Sequence, residues 1–183
     1  MSDYLEESQQ VLKEADLLCS QAQIEAALDR MAEQIKDKIG TQNPLVLCVM
    51  TGGVIPAGML LPRLDFPLNL DYIHATRYGH KTTGGELNWI VKPSQPLKDR
   101  VVLLIDDILD EGLTLEAIIH DCKSAGAKAV YSAVLVEKIR PRPTAIRADF
   151  VGVEVEDRYL FGYGMDYKGY LRNAAGIYAV KGM

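Results

Sequence analysis

Three carboxylates and a glycine-threonine turn stand together in the middle of the chain. Asp106 and Asp107 are adjacent, Asp110 follows three residues on, and Gly112 and Thr114 come next. They close an unbroken aliphatic run over residues 101–105 and open a helical pattern of Leu115, Ile118, Ile119 and Cys122. In an open α/β sheet, ligands collect beyond the carboxyl ends of the strands, where a helix N-terminus offers free N–H groups to an anion. Carboxylates at a strand end suit sugar hydroxyls or a Mg2+ ion, and the turn suits a phosphate. A ribose phosphate would satisfy both halves. The bland competitor is a surface turn in which Asp110 merely caps a helix. Such turns are common, but an aliphatic strand, paired acids and Gly-x-Thr in one segment are rare.

Three other segments fall after strand ends. Met50-Thr51-Gly52-Gly53 follows the apolar run Leu45–Met50. A glycine pair there lets backbone N–H groups approach an anion, although a plain tight turn explains it equally well in isolation. Lys138 closes a second apolar run. A lysine has three donors and no acceptor, so beside a purine it favours a 6-oxo over a 6-amino group. Read alone, Lys138 is a solvated lysine in a basic stretch with Arg140, Arg142 and Arg147. Residues 157–167 interleave aromatics with glycines and are followed by Arg172. Such a loop can stack on a base and expose carbonyls to its edge, while Phe161 and Tyr163 also suit a satellite core under a loop.

The elements needed to position these groups follow from periodicity. Residues 1–40 read as helical. Residues 4–18 are less sharply bounded, and a second helix is capped by Ser20 with Gln23, carries Ile24, Ala27, Leu28, Met31, Ile35 and Ile39 on one face, and stops at Gly40. Beyond it, strands are expected at residues 45–50, 68–76, 89–92, 101–105, 129–136, 150–155 and 177–181. A short helix is expected at 54–61, with Pro56 in its first turn. Residues 77–88 are polar and glycine-rich and read as a mobile loop. Strands alternating with helices imply an α/β fold with a mostly parallel central sheet flanked by helices.

At 183 residues the chain suits one domain. A net charge of −5 argues against a nucleic-acid or acidic-membrane binder, which would need a basic face. The three cysteines form no CxxC pair and the three histidines no ligand-spaced cluster, so neither disulfides nor zinc is expected. No leader and no apolar run of membrane-spanning length is seen, which implies a cytoplasmic protein.

The segment 101–114 resembles the phosphoribosyl-pyrophosphate signature of the type I phosphoribosyltransferases: a hydrophobic strand, two acids, two aliphatics, Asp, a small residue, Gly, any residue, Thr. With the other segments in the family's order over roughly residues 45–180, the chain resembles the hypoxanthine-guanine branch of that family. The resemblance implies the type I fold as one domain over 1–183. Residues 1–40 form a helical N-terminal segment and 45–155 the core. Residues 156–183 are the purine-binding part of a small hood, built from the chain ends and the C-terminal loop. It implies purine salvage: transfer of a 5-phosphoribosyl group from phosphoribosyl pyrophosphate to a 6-oxopurine, with magnesium, by a homodimer or homotetramer. Residue by residue, Asp110 is implied as proton acceptor near purine N7. Asp106 and Asp107 hold ribose hydroxyls and, with Asp166, Mg2+. Ile108, Glu111, Gly112, Leu113 and Thr114 line the phosphate segment. Thr51 and Gly52 bind pyrophosphate in a turn that often contains a cis peptide, and Arg172 also meets pyrophosphate. Lys138 reads the 6-oxo group, Tyr159 stacks on the base, and Leu160 presents main chain to its edge. Arg77 and Tyr78 open a loop that closes over the site.

Departures are visible. Glu111 stands where relatives mostly have a small residue, Thr51 where they usually have a basic one, and Arg77-Tyr78 where Ser-Tyr is common. Three rivals are therefore weighed: a xanthine- or pyrimidine-specific transferase, a non-catalytic sensor of phosphoribosyl pyrophosphate, and a dinucleotide enzyme. The last fails for want of G-x-G-x-x-G after the first strand.

Overall fold

In a computed structural model, residues 2–77 and 87–183 are described. Along the chain come α1 (Ser2–Glu14), β1 (Asp16–Ser20), α2 (Gln21–Ile39), β2 (Leu45–Met50), α3 (Val54–Leu60) with a 3-10 turn (Leu61–Arg63), and β3 (Asn69–Arg77). These are followed by β4 (Leu87–Val91), β5 (Val101–Leu109), α4 (Leu113–Ser124), β6 (Ala129–Ile139), β7 (Phe150–Glu156), β8 (Leu160–Phe161) and β9 (Gly176–Ala179).

Unbroken aliphatic runs put β2 and β5 at the centre of a six-stranded sheet ordered β4-β3-β2-β5-β6-β7. All its neighbours are parallel except β4, which lies antiparallel on the edge. Alternate residues of these strands feed two cores. Val46, Leu103 and Ile105 face α2 and α3, in a cluster with Ile24, Leu28 and Ile35. Leu45, Leu47, Val102 and Leu104 face α4, in a cluster with Leu115, Ile118 and Cys122. Removing side chains of this size from water is worth about 1.5–3 kcal/mol each, which fixes the sheet's centre firmly. The predicted capping box of α2 is present: Gln23 N–H donates to Ser20 Oγ at 3.4 Å, and Ser20 N–H donates to Gln23 Oε1 at 2.9 Å. The mostly parallel α/β architecture is the expected one.

A second sheet stands apart in sequence, with order β1-β9-β8 and antiparallel pairing throughout. It is the hood, built from both ends of the chain and the C-terminal loop. Arg158 stitches it: its guanidinium meets Asp16 Oδ2 at 2.7 Å and donates to the carbonyls of Val180 and Met183 at 3.0 and 3.1 Å.

Several boundaries differ from expectation, three of them in ways that matter to the hood or the site. The helix over residues 4–18 ends at Glu14, and 16–20 is the strand β1, because Asp16 and Ser20 find partners at Ala179 and Gly176. A local pattern of three apolar residues cannot register a partner so far along the chain. Strand β5 runs on past Ile105 to Leu109, so the paired acids lie within the strand. The last strand is shifted to Gly176–Ala179 and joined by β8, which periodicity did not reveal in its two residues.

Candidate active site

The chain passes from β2 outward to β3, then returns to place β5 on the other side of β2, so the order reverses between β2 and β5. Such a switch point leaves a crevice beyond the carboxyl ends of the two strands. A cleft of about 370 Å³ lies there, walled by Met50, Gly52, Ala75, residues 106–115 and Arg172. Its floor is the start of α4. Gly112 holds φ +82° before the helix, a left-handed conformation that glycine adopts without steric cost, and no side chain caps the helix. The first N–H groups of α4 are thus left without a side-chain acceptor at the cleft, where the helix dipole favours an anion.

The acids form the cleft wall. Asp107 is 9% exposed, its N–H donates to Asp106 Oδ1 at 2.9 Å, and its carboxylate packs so closely on Gly52 that no Cβ would fit there. Loss of solvent, then the neighbouring Asp107 charge, pushes the Asp106 carboxyl well above its usual range. Loss of solvent also raises Asp107, opposed by its hydrogen bonding with Asp106 and by the Arg172 charge. Two crowded carboxylates of this kind are stabilised by donors or a cation arriving from the cleft. The Met50–Thr51 peptide is cis, as the resemblance implies for this turn.

A second lobe of about 240 Å³ adjoins the first and shares Asp107, Ile108 and Asp110 with it. Lys138, Tyr159, Leu160, Met165 and Asp166 complete its lining. Here Lys138, at the end of β6, is 8% exposed and not solvated. Its ammonium lies 3.0 Å from Asp110 Oδ2 and 3.3 Å from Asp157 Oδ1. Arg140 closes the square, 2.9 Å from Asp110 Oδ1 and 3.5 Å from Asp157 Oδ2. Behind it Arg142, with a side chain 3% exposed, donates to the main-chain carbonyls of Asp110 and Lys138 at 2.8 and 2.6 Å and pairs with Glu137 at 2.8 Å. Three fixed donors thus lock the β5 and β6 ends together, and charge-assisted bonds of this kind are the strong ones. Thr144 Oγ donates to the Glu111 carbonyl at 3.0 Å, bracing the turn from the same side.

The loop after β8 folds back over both lobes. Gly164, at φ +110°, lies against the Gly52 carbonyl and the Asp107 side chain, where a Cβ would collide. Arg172 pairs with Asp166 at 2.7 Å and donates to the Gly164 carbonyl. Tyr159 is 42% exposed, with its carbonyl held by Val180 N–H at 2.9 Å.

Nearly all the residues singled out by sequence therefore line one composite cleft. Gly52, Asp106, Asp107, Ile108, Asp110, Glu111, Gly112, Leu113, Thr114 and Arg172 wall the first lobe, and Lys138, Tyr159, Leu160 and Asp166 the second. Thr51 is exposed and lines neither. Arg77 ends β3, and Tyr78 lies outside the described residues. Sequence reading missed the structural part of Arg140, Arg142 and Asp157. The only available signal was the density of charge around Lys138, which equally describes a solvated surface. Among the described residues no three His, Cys, Asp or Glu side chains cluster as a metal cage.

Residues 16–168 match the model of the phosphoribosyl transferase domain family. The hypoxanthine-guanine phosphoribosyltransferase of Bacillus subtilis is 30% identical over 166 residues, 90% of this chain and 92% of that protein. The hypoxanthine-guanine-xanthine phosphoribosyltransferase of Tritrichomonas foetus is 30% identical over 158 residues, 86% of each chain. A hypoxanthine phosphoribosyltransferase structure from Staphylococcus aureus superposes with a TM-score of 0.86 at 25% identity, covering 91% of each chain. With its strand-end acids, anion-ready turn and buried lysine at the sheet's switch point, the chain belongs to the phosphoribosyltransferase family, alongside its hypoxanthine-guanine members.

Proposed function

We propose that this chain, working as a single domain over residues 1–183, is a purine-salvage enzyme. It moves the 5-phosphoribosyl group from phosphoribosyl pyrophosphate to hypoxanthine or guanine, giving IMP or GMP and pyrophosphate. The observation that carries the reading is the pair of adjoining lobes sharing Asp107, Ile108 and Asp110, one ending in an anion-ready turn and the other in a buried lysine beside an exposed tyrosine. A sugar phosphate fits the first and a flat base with a 6-oxo group fits the second.

In that arrangement residues 110–114 cradle the 5′-phosphate through main-chain N–H groups and the Thr114 hydroxyl. Asp106 and Asp107 take the ribose hydroxyls, and Gly52 and Arg172 meet the pyrophosphate. Tyr159 stacks on the purine, Leu160 borders its edge with main chain, and Lys138 donates to the 6-oxo oxygen. The base nitrogen N9 bonds to C1′ as the C1′–O bond to pyrophosphate breaks, and the N7 proton passes to Asp110. In the empty site Lys138 and Arg140 both hold Asp110. An arriving 6-oxopurine gives Lys138 a new acceptor and leaves Arg140 to keep the Asp110 carboxylate aimed. Rate enhancement then comes from positioning and fixed charge, with no covalent intermediate.

The oxygen-only set of Asp106, Asp107 and Asp166 suits Mg2+, which keeps waters and substrate oxygens in its shell and so needs no three-carboxylate cage. When bound it would neutralise charge on the departing pyrophosphate. By the family likeness, Arg77 at the end of β3 and Tyr78, which lies outside the described residues, would open a loop over the cleft. No described helix is long and apolar enough to cross a membrane. A cytoplasmic homodimer or homotetramer that engages neither nucleic acid nor membrane completes the reading. The test is pyrophosphate release with phosphoribosyl pyrophosphate and Mg2+, offered hypoxanthine, guanine, xanthine, adenine and uracil in parallel. Turnover of 6-oxopurines and not adenine is expected. A folded protein silent with every base would be a sensor instead.

A further inference from the structure

Helix α1 precedes the family match, which begins at residue 16, yet it grips the part of the hood that serves the cleft. Glu7 accepts a hydrogen bond from Tyr167 Oη at 2.7 Å and holds the Lys168 ammonium at 2.7 and 2.9 Å. The same ammonium lies 5.3 Å from the Tyr4 ring centroid. One turn further along the same helix face, Val11 packs with Ala15 on the buried cluster of Phe161, Tyr167 and Val180. The helix therefore has a polar grip and an apolar grip, and both close on Tyr167.

What is gripped is a tight turn. Tyr167 and Tyr170 exchange backbone hydrogen bonds at 2.8 Å each way, with Lys168 and Gly169 at φ 48° and 85° between them. Asp166 leads into the turn, Arg172 leaves it, and the two side chains are paired across it. Gly169 N–H also donates to Asp166 Oδ2 at 2.7 Å. On its other side the Tyr167 ring meets Tyr159 edge-on, with centroids 5.5 Å apart and planes at 67°. The residue assigned to base stacking and the two assigned to metal and pyrophosphate are thus one contact away from the place where α1 holds the chain.

We propose that α1 is a clamp on the purine side of the active site, with Glu7 and Tyr167 as positioning residues. They set the Tyr159 ring against the base and the Asp166–Arg172 pair against pyrophosphate. The proposal rests on the phosphoribosyl-transfer reading above. An exposed ion pair such as Glu7–Lys168 is weak alone, so the phenolic hydrogen bond and the apolar grip must carry the geometry. Small misplacements of such groups are felt strongly in rate and affinity.

The experiment is steady-state kinetics with hypoxanthine, phosphoribosyl pyrophosphate and Mg2+ on the full chain. It compares wild type, Tyr167→Phe, Glu7→Lys and the charge swap Glu7→Lys/Lys168→Glu, with GMP affinity by calorimetry and melting curves alongside. For both single variants KM for hypoxanthine should rise about three- to tenfold, kcat should stay within about twofold, and GMP should weaken in step. The swap restores only the weak ion pair and not the carboxylate that accepts from the Tyr167 hydroxyl, so KM should recover in part and stay about twofold or more above wild type. Unchanged KM and GMP affinity in both single variants would overturn the clamp. So would losses that simply track melting temperature across all the variants. If wild type turns over no base, the transfer reading fails, and GMP affinities alone decide the clamp; if wild type also binds no GMP, both fail together.

Discussion

The two halves of the cleft are made in opposite ways. The first lobe, proposed for the phosphate, takes most of its lining from one continuous stretch, residues 106–115, delivered by a strand buried on both faces and received by a helix, with Met50, Gly52, Ala75 and Arg172 completing it. The second, proposed for the base, adds to the shared Asp107, Ile108 and Asp110 residues from β6, the turn after β7, and a hood whose strands are drawn from residues 16–20, 160–161 and 176–179. In the first, backbone geometry and chemistry are written in the same dozen residues. In the second, Lys138 and Tyr159 are placed by partners far along the chain, through ion pairs and main-chain bonds. The lesson is that one half of a cleft can be a local motif while the other is built from supports that only the folded chain brings together.

The sharpest test of the local half is Asp110→Ala. Removing the proposed proton acceptor should lower kcat about 10²- to 10⁴-fold while phosphoribosyl pyrophosphate still binds, read by single-turnover kinetics beside calorimetry. A drop under tenfold would transfer the proton elsewhere. Lys138→Ala tests the joint between the halves. The specificity constant for hypoxanthine should fall about a hundredfold, and discrimination against adenine should shrink, because the proposed 6-oxo reader is gone. If adenine remains excluded, the hood's main chain is the reader.

Two smaller effects separate activity from stability. Burial and the Asp107 charge raise the Asp106 carboxyl in the folded state, so its contribution to stability is full below the unfolded value of 3.8 and is lost as pH rises through the folded value. In magnesium-free buffer Asp106→Asn should therefore be more stable than wild type at neutral pH, by about 1 kcal/mol, and the advantage should vanish as the medium is acidified towards pH 3.8. Chemical denaturation across pH reads this, with catalysis impaired throughout. A constant offset at every pH would rule out ionisation as its cause. In the hood, Arg158→Ala removes the stitch to Asp16 and two carbonyls. Melting should fall by about 2–4 °C, with KM for the base affected more than KM for phosphoribosyl pyrophosphate. Equal effects on both would mean that the two lobes are one cooperative unit.

The same division explains what could be read from sequence. Strand β2 and the capping box of α2 rest on neighbours in sequence and stand where the pattern put them, while β5 keeps its predicted start and runs on past Ile105 to Leu109, taking the paired acids into the strand. Strand β1 was read as helix because Leu17, Leu18 and Cys19 carry no signal of Ile177 and Tyr178 as partners. Lys138 looked solvated for the same reason. Its burial depends on Asp110 and Asp157, which flank it only after β5, β6 and β7 have paired. Arg142 was one arginine among several until its carbonyl partners on two different segments were known. The loop opening at Arg77 and Tyr78 lies at or beyond the edge of the described residues, so its closing role rests on likeness alone.

Strand β9 sits in the middle of the hood, between β1 and β8. During synthesis β1 is made before every other strand described, and it must wait for residues 176–179 before it can pair. The parallel sheet, by contrast, has every strand it needs once residue 156 has emerged. A nascent chain therefore passes through a stage with the acid-lined crevice formed except for Arg172, no hood over it, and the inner edge of β1 bare. Such an edge invites mispairing with other chains. The ordering of strands makes residues 176–179 both the keystone of the hood and the end of the interval in which β1 stands bare.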